Sequence, residues 1–488
     1  MIRKIHVITR LIFISVFLLV SSECEGAPKK ADLDVLYTRT ANSYHAYTNG
    51  DKIDTPKRNP VIVIPGLLGS KLQDAETDTI VWGAFSGKFA DPATKKGARL
   101  AALPMQEGVP LADLKDSVEP RGALARMDLN FMLIPIRLNA YYNILKILGV
   151  GGYRDEDISK SGTVKYSEGH FTSFQFDYDW RRDIVENAQL LDEFIKEHRK
   201  YVQDEIEKRF GIKNYDVKFD IVAHSMGGLI ARYYFRYGAA DLPEHGPIPT
   251  TTWEGAKYID KLVMVSTPNA GSISAFESLT KGLNSPLMPK YSPAILGTMP
   301  SLYQLMPHTK HRSLVDMNDP EGEPLDIYDP ELWERMQWGL ASPGQDGMIK
   351  ILLPDVKDPG ERRRIALDHQ RKCLMRAKQF WEALDVPADP PQNVSFALFT
   401  GDAIQTDAVV GVNKEDGSFE VIKKAPGDGT VLRSSALMDE RIGGKWSPRL
   451  VSPIRWSQVM FIFNDHVGIT EDPNFADNIL YYLLEHPQ

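Results

Sequence analysis

Cysteine is scarce in this 488-residue chain, which contains only Cys24 and Cys373. Two cysteines are too few for sites in which several thiolates hold a structural zinc ion. Cys24 lies in an N-terminal segment that we expect to be removed, so the mature protein should have no intrachain disulfide. A chain of this length can bury enough apolar surface to do without one. The composition therefore excludes disulfide-stapled proteins and cysteine-ligated metal proteins.

Positive charge is also in deficit. Lysine and arginine number 57 against 65 aspartate and glutamate residues, which gives a formal net charge of -8. Such a chain has no basic footprint of the kind that neutralises nucleic-acid phosphates, so we expect no nucleic-acid partner. Internal repeats, low-complexity tracts and glycine-rich phosphate loops are missing as well. With 43% hydrophobic and 25% charged residues, the composition is otherwise that of a large globular protein.

The N-terminus carries only a short hydrophobic run. A basic start, Met1–Arg10, precedes the apolar residues Leu11–Val20, and small residues follow from Ser21. This order is typical of a secretory signal peptide. A run of about ten residues is too short for a transmembrane helix, which needs roughly 20 residues. We therefore predict a signal peptide over residues 1–26 and export of a mature protein that spans residues 27–488.

Short, continuous apolar runs mark the strands of a buried sheet. The first begins at Val61 and is followed by Pro65 and Gly66. Strands without polar alternation are buried on both faces, as in parallel sheets covered by helices. The pattern returns at Phe171–Phe176, Phe219–Ala223, Lys261–Ser266, Val394–Thr400 and Val459–Phe463. Helical periodicity over Ile184–Phe210 and Leu229–Tyr237 alternates with these strands, which predicts a mostly parallel central sheet with helices on both faces.

Two stretches do not follow this alternation. Residues from about 71 to 130 are rich in glycine, proline, alanine and charge, and residues from about 276 to 390 carry many prolines, methionines and aromatics. We interpret both as cap insertions on a single domain. The second is expected to contain a helix over Pro330–Leu340. Its histidines are expected at the surface, namely His308, His311 and His369.

The most informative segment begins at Phe219. It combines a buried strand, a tight turn centred on Ser225, and a helix entered through Gly227 and Gly228. Serine hydrolases use this strand–turn–helix geometry to raise the nucleophilic oxygen above a sheet, with small residues on both sides of the serine. Ala223 stands at the first small position. A serine at such a junction often serves only as a helix N-cap, but the surrounding pattern favours Ser225 as a nucleophile.

A serine nucleophile needs a histidine base, and the base needs a carboxylate. In this class of enzyme the chain order is serine, acid, histidine. His466 follows the last predicted strand and is the expected base, whereas His224 is expected to have a structural or supporting role. Two acids compete for the remaining position. Asp402 ends a predicted strand, Asp428 lies in the glycine-flanked turn Gly427–Gly429, and the residues alone leave both open.

Acyl transfer also requires amide groups that bind the developing oxyanion. The N–H of Met226, directly after the serine, is expected to supply one donor. The loop after the first strand should supply the other, and there Leu67 is favoured over Leu68. This chemistry needs neither a metal nor a cofactor, so none is predicted.

Five segments resemble the lecithin:cholesterol acyltransferase family, which includes lysosomal phospholipase A2 and phospholipid:diacylglycerol acyltransferase. They stand in the family's order and are Val63–Leu72, Tyr178–Arg181, Ala223–Gly228, Gly427–Val431 and Asp465–His466. The resemblance implies an α/β-hydrolase fold with cap and lid insertions, lipid esters as acyl donors, and Asp428 as the acid. The cysteine pair that closes the membrane-binding lid loop in animal members is missing after Lys71. Trp82 is either an interfacial aromatic residue or part of the cap packing.

These residues together predict a serine-dependent acyl hydrolase or O-acyltransferase. It would act on lipid esters through an acyl-serine intermediate, at a membrane or lipid-droplet surface. A simple lipase or carboxylesterase without transferase activity is the main alternative. A catalytically silent lipid-binding protein of the same fold is the other.

Overall fold

The computed structural model describes residues 55–84, 88–123, 127–131, 134–138, 141–160, 169–243, 247–284, 288–445 and 447–485. The predicted signal peptide, residues 1–26, lies outside this part of the chain, as does Cys24. Within the described residues, no helix has both the length and the apolar composition that a membrane span requires.

The described residues contain fourteen strands. They are β1 Val61–Ile64, β2 Ser70–Asp74, β3 Ile80–Trp82, β4 Val118–Ala123, β5 Met127–Phe131, β6 Ile134–Leu138, β7 Ser173–Gln175, β8 Phe219–His224, β9 Ile259–Val265, β10 Leu314–Asp316, β11 Ser395–Gly401, β12 Ile404–Val412, β13 Phe419–Gly427 and β14 Trp456–Ile462.

The same part of the chain contains thirteen α-helices. They are α1 Lys95–Ala101, α2 Tyr142–Val150, α3 Glu156–Lys160, α4 Ile184–Phe210, α5 Met226–Tyr237, α6 Ile273–Lys281, α7 Pro293–Leu296, α8 Pro300–Gln304, α9 Pro330–Arg335, α10 Asp346–Leu352, α11 Pro359–Asp385, α12 Arg433–Leu437 and α13 Pro473–Leu484.

Six parallel strands form the central sheet, in the spatial order β14-β11-β9-β8-β1-β7. Each of them coincides with one of the six apolar runs. The predicted helix Ile184–Phe210 is found with the same limits, as α4. The predicted α/β-hydrolase architecture, a mostly parallel sheet between helices, is therefore confirmed.

Both faces of the sheet are covered by helices, as β1 illustrates. Ile62 and Ile64 lie in a large apolar cluster with residues of α4 and α5. Val61 and Val63 lie in a second cluster with residues of α2 and α13. Since successive side chains of a strand point to opposite faces, every position on β1 meets an apolar partner. This double coverage explains why the strands are continuous apolar runs in the sequence.

The order of the strands reverses at the boundary between β1 and β8. From β1 the chain passes to β7 on one side, and from β8 it continues on the other side through β9, β11 and β14. In open parallel sheets such a switch point leaves a crevice outside the carboxyl ends of the two strands. The loops that follow β1 and β8, at Pro65 and Ser225, therefore meet at this crevice.

Both regions interpreted as insertions contain regular structure of their own. In the first, β2 pairs antiparallel with β3 and with β4. The second contains α6 to α11 and the short strand β10. β10 pairs with β12, which forms an antiparallel hairpin with β13, so a hairpin between β11 and β14 joins the cap in a three-stranded sheet. The apolar runs do not predict this hairpin, because its strands are partly exposed.

The helix predicted over Pro330–Leu340 is shorter than expected. α9 ends at Arg335, and Gln337 adopts a left-handed backbone conformation with φ of 55°. The break lets Trp333 and Trp338 pack edge to face, with ring centroids 5.8 Å apart. Burial of these two large aromatic rings stabilises the broken form over a continuous helix.

The prediction of surface histidines in the cap is wrong. His308, His311 and His369 are all buried. His308 Nε2 lies 2.9 Å from Asp385 Oδ2, and His369 Nε2–H donates a hydrogen bond of 3.0 Å to the carbonyl of Thr298. Burial lowers the pKa of both His311 and His369 to about 4, so both are neutral near pH 7. These three histidines are therefore part of the interior of the cap.

Candidate active site

Ser225 forms the turn between β8 and α5. Its φ of 53° and ψ of -126° lie outside the regions that most side chains adopt. Its N–H donates to the carbonyl of Val265 at 2.8 Å, and its carbonyl accepts from the N–H of Gly228 at 3.0 Å. Neighbouring backbone therefore fixes a strained residue at the carboxyl edge of the sheet, as in the turn that carries the nucleophile of serine hydrolases.

Two glycines allow neighbouring backbone to approach this turn. A Cβ atom at Gly66 would lie 2.6 Å from the Cβ of Ser225, and one at Gly227 would lie 2.5 Å from the carbonyl oxygen of Pro65. Neither position accepts a side chain without a shift of the backbone. The two glycines therefore permit direct contact between the loops that follow β1 and β8.

His466 links Ser225 to a buried carboxylate. Its Nε2 is 3.0 Å from Ser225 Oγ, and its Nδ1 is 2.9 Å from Asp428 Oδ2. An ionised carboxylate only accepts hydrogen bonds, so Nδ1 carries the proton and Nε2 is left to accept from the serine hydroxyl. The structure thus brings together the three side chains that the sequence suggests as nucleophile, base and acid.

The surroundings of Asp428 favour its carboxylate form. The side chain is fully buried, and its second oxygen accepts from the N–H groups of Thr430 and Val431 at 2.9 and 2.6 Å. Burial opposes ionisation, but His466 and these N–H donors together hold the pKa of Asp428 below its ordinary value. The carboxylate is therefore ionised at neutral pH and can stabilise a protonated imidazole.

The competing acid, Asp402, has a different partner. Its carboxylate pairs with Arg433 at 3.5 Å and is partly exposed. The two acids nevertheless start from nearly the same place, because the β12–β13 hairpin leaves the end of β11 and returns to it. A Cβ atom at Gly401 would lie only 2.7 Å from the Cβ of Asp428. Because the two positions are so close, Asp402 directly after β11 and Asp428 after the hairpin are equally plausible acids when only the sequence is considered.

The loop after β1 brings backbone N–H groups to the crevice. Two of them are already used, because Gly66 N–H donates to a tyrosine hydroxyl and Gly69 N–H donates to the Gly66 carbonyl. The N–H groups of Leu67 and Leu68 have no hydrogen-bond partner in the described part of the chain, and the same is true of Met226. Both donors suggested by the sequence, Leu67 and Met226, are thus available to an incoming oxygen, as is Leu68.

Aromatic side chains hold this loop in place. The hydroxyl of Tyr178 donates to the Pro65 carbonyl at 2.7 Å, and the indole N–H of Trp82 donates to the Leu68 carbonyl at 2.8 Å. Trp180 packs edge to face against Trp82, with ring centroids 5.5 Å apart. Trp82 is only 1% exposed. Of its two predicted roles, cap packing is therefore the one found, and an interfacial position is wrong.

The rest of the Tyr178–Arg181 segment ties the first insertion to the sheet. Arg181 has a fully buried side chain that pairs with Asp179 at 2.7 Å and with Asp116 at 2.9 Å. One of its N–H groups also donates to the carbonyl of Leu100. A buried guanidinium that satisfies acceptors from three segments fixes their relative positions. This short motif therefore supports the crevice from behind.

A second buried histidine bridges the two sides of the site. Nε2–H of His224 donates to the carbonyl of His466 at 2.9 Å, so its Nδ1 accepts from the hydroxyl of Tyr141 at 3.1 Å. The Tyr141 oxygen in turn accepts from the N–H of Gly66 at 2.9 Å. Burial, with a contribution from nearby His466, lowers the pKa of His224 to about 3, which keeps it neutral. No pattern around Tyr141 in the sequence signals its place in this bridge.

Comparison with known proteins finds a similarity to one family over part of the chain. Residues 163–331 match the family model of lecithin:cholesterol acyltransferase. The predicted resemblance is thereby confirmed for a segment that contains Ser225 and the Tyr178–Arg181 motif, and that ends before Asp428 and His466. The match supports an enzyme of lipid ester hydrolysis or acyl transfer. No curated protein matches the chain.

Several solved structures align with most of the chain at low sequence identity. The crystal structure of a Tle4–Tli4 complex is 14% identical, covers 87% of this chain and 98% of that chain, and gives a TM-score of 0.48. The mature Bacillus licheniformis lipase BlEst2 is 10% identical, with coverage of 89% and 94% and a TM-score of 0.33. EstA from Clostridium botulinum is 13% identical, with coverage of 95% and 100% and a TM-score of 0.32. The α/β-hydrolase fold of this chain follows instead from the order of its parallel strands and from the turn at Ser225.

Proposed function

We propose that this chain is a serine-dependent enzyme that hydrolyses or transfers the acyl group of lipid esters. The observation that carries the proposal is the hydrogen-bonded series Ser225–His466–Asp428, with distances of 3.0 and 2.9 Å, at the switch point of the sheet. The match to the lecithin:cholesterol acyltransferase family model supports lipid esters as the class of substrate. A membrane or lipid-droplet surface is the expected source of that substrate.

In the first step, Ser225 Oγ attacks the ester carbonyl while its proton passes to His466 Nε2. The N–H groups of Leu67 and Met226 donate to the oxyanion that develops on the carbonyl oxygen. Asp428 stabilises the imidazolium through the hydrogen bond to Nδ1. Collapse of the tetrahedral intermediate breaks the ester bond, His466 returns the proton to the leaving alcohol, and the acyl group remains on the serine.

In the second step, water or an acceptor alcohol attacks the acyl-serine. His466 removes the proton of the attacking hydroxyl and then returns it to Ser225 Oγ, so that the enzyme is regenerated. Water yields a free fatty acid, whereas an alcohol yields a new ester. The acceptor therefore decides between hydrolase and acyltransferase activity, and the residues that hold the acyl-serine are the same in both.

Product analysis tests the proposal and separates its alternatives. The protein is incubated with mixed phospholipids and triacylglycerols, with and without a long-chain alcohol, and the products are identified by mass spectrometry. A free fatty acid together with an ester of the added alcohol is expected for an acyltransferase. Fatty acid alone assigns a simple lipase or carboxylesterase. No product from any lipid, with binding retained, contradicts the proposal in favour of a silent lipid-binding protein.

Removal of the Tyr141 hydroxyl should reduce activity. In Tyr141→Phe the N–H of Gly66 loses its buried acceptor, which costs roughly 1–3 kcal/mol, and Nδ1 of His224 loses its donor. Both sides of the site are then less well positioned. We expect kcat for a short-chain nitrophenyl ester to fall roughly tenfold, the equivalent of about 1.4 kcal/mol, with KM little changed.

The matched control is Tyr153→Phe. The Tyr153 hydroxyl is also buried, but it has no hydrogen-bond partner among the residues described. Its loss should leave kcat unchanged. Equal kcat values for the two variants would show that the bridge through Tyr141 does not position the site.

Export is part of the proposal and depends on residues 1–26 alone. A secreted or extracytoplasmic enzyme would meet lipid at the outer face of a membrane. N-terminal sequencing of the active protein should find a start near residues 25–27, and an active form that begins at Met1 would contradict export.

A further inference from the structure

Half of the exposed large apolar side chains lie in one short part of the chain. In the described residues twelve large hydrophobic side chains are exposed, and six of them lie between residues 442 and 467. We call these six the C-terminal apolar surface; they are Ile442, Leu450, Val451, Phe461, Phe463 and Val467. Phe463 is 70% exposed, the largest value of the twelve. Concentrated apolar exposure of this kind marks an interaction site rather than ordinary surface.

Helix α12 lies between two parts of this surface, the loop that carries Leu450 and Val451 and the end of β14 that carries Phe461. At the start of the helix, the guanidinium of Arg433 lies over the ring of Phe461, 5.7 Å from its centroid. At its end, the carbonyl of Leu437 accepts hydrogen bonds from Ser452 Oγ at 2.8 Å and from the indole N–H of Trp456 at 3.1 Å. A five-residue helix is only about 7 Å long. The loop that leads from Leu450 to β14 and the end of β14 that carries Phe461 therefore contact opposite ends of one short helix.

Positive charge accompanies the apolar side chains. Between residues 440 and 467 there are four basic residues and two acidic ones, a net charge of +2 in a chain whose total is -8. Lys445 and Arg449 precede Leu450 in the exposed loop and form no ion pair with any residue that the structure describes. Unpaired basic side chains beside the exposed Leu450 and Val451 are complementary to an anionic lipid surface, because its head groups attract the charges and its acyl chains accept the apolar groups.

One end of the C-terminal apolar surface lies beside the candidate active site. Val467 directly follows His466, and Phe463 precedes it by three residues on the loop after β14. This loop lies at the carboxyl edge of the sheet, since a Cβ atom at Gly401 would be 2.6 Å from the carbonyl oxygen of Asn464. By contrast, Trp82 in the first insertion is buried and unable to contact lipid.

From these observations we infer that the C-terminal apolar surface docks the enzyme onto an anionic lipid surface. Phe463, Leu450 and their neighbours enter the boundary between head groups and acyl chains, while Lys445 and Arg449 contact anionic head groups. The inference rests on the proposed function for the identity of the occupant, because lipid must reach Ser225. Docking by residues next to His466 would bring the crevice to the substrate.

Vesicle binding by the Ser225→Ala protein tests this inference without catalysis. Binding is measured by sedimentation with vesicles of phosphatidylcholine mixed with phosphatidylglycerol, and with vesicles of phosphatidylcholine alone. Added Phe463→Ser and Leu450→Ser substitutions should weaken binding to the mixed vesicles at least about tenfold. The reason is that binding no longer transfers two large apolar side chains from water into the lipid. The matched control carries Leu190→Ser and Ile212→Ser, which replace side chains that are similarly exposed elsewhere, and it should bind normally.

Charge is tested separately with Lys445→Gln and Arg449→Gln. Each should weaken binding to the mixed vesicles about fivefold and leave binding to pure phosphatidylcholine unchanged. Equal binding by the apolar variant and its control would overturn the inference. A second contradicting result would come from light scattering. If the protein is a dimer and only the apolar variant is a monomer, the surface joins two copies of the chain.

Turnover of a water-soluble ester separates the docking role of these residues from the catalytic role of Ser225. When Ser225 is retained, the protein with both Phe463→Ser and Leu450→Ser should hydrolyse a water-soluble nitrophenyl ester at the normal rate. Loss of vesicle binding with normal ester turnover supports the docking surface. If these substitutions weaken vesicle binding but the protein with Ser225 hydrolyses no ester at all, only the catalytic proposal is contradicted.

Discussion

Ser225→Ala is expected to abolish ester turnover, with a loss of up to about six powers of ten. The serine oxygen is the atom that would form the acyl-enzyme bond. Among the described residues, no other hydroxyl is within hydrogen-bond distance of His466 Nε2 and could replace it. Turnover of a short-chain nitrophenyl ester measures the effect. Such a substrate is soluble in water and does not depend on lipid docking.

The fold of the Ser225→Ala protein should be intact. The substitution removes one partly buried hydrogen bond, worth about 1 kcal/mol, and leaves the packing of Gly66 against the Cβ of residue 225 unchanged. The thermal midpoint should therefore stay close to that of the native protein. Native-like turnover in this variant would contradict the whole mechanism, whereas an unfolded variant calls for Ser225→Cys as the second test of the nucleophile.

Asp428→Asn is expected to lower turnover by as much as about four powers of ten. The asparagine amide can donate where the carboxylate only accepts, so the imidazole of His466 is turned to the tautomer that cannot take a proton from the serine. The two N–H groups of Thr430 and Val431 keep an oxygen acceptor. The fold should thus survive the change, and the loss should fall on kcat.

The matched control for that prediction is Asp402→Asn. Its carboxylate forms one partly exposed ion pair with Arg433, and exposed pairs contribute only about 0–1 kcal/mol to stability. Ester turnover should therefore stay near the native value. If the Asp402 variant is inactive and the Asp428 variant active, the acid has been assigned to the wrong side of the hairpin.

The central sheet could be predicted from the sequence because its strands are buried on both faces. Residues such as Val61 and Val63 have no polar alternative, so the pattern survives in the linear chain. The turn at Ser225 was equally visible, since close contact between loops limits Gly66 and Gly227 to glycine. Local steric demands of this kind leave a direct mark on the amino-acid sequence.

Other features depend on contacts between distant segments and leave weaker marks. The choice between Asp402 and Asp428 needed the family resemblance, because a hairpin of half-exposed strands returns the chain to the same sheet edge. The helix predicted over Pro330–Leu340 is longer than the one found, because tryptophan packing outweighs local periodicity. Tyr141 leaves no mark in the sequence, because its role comes from two hydrogen bonds to residues far away in the chain.

Covalent labelling tests most directly whether Ser225 is the nucleophile. The native protein is treated with a fluorophosphonate probe, digested, and mapped by mass spectrometry, with the Asp428→Asn and Ser225→Ala proteins alongside. We expect one modified residue, Ser225, with labelling that is much slower in Asp428→Asn and missing in Ser225→Ala. A folded native protein that stays unlabelled, or that is labelled at a different serine, would contradict the assignment of Ser225 as the nucleophile.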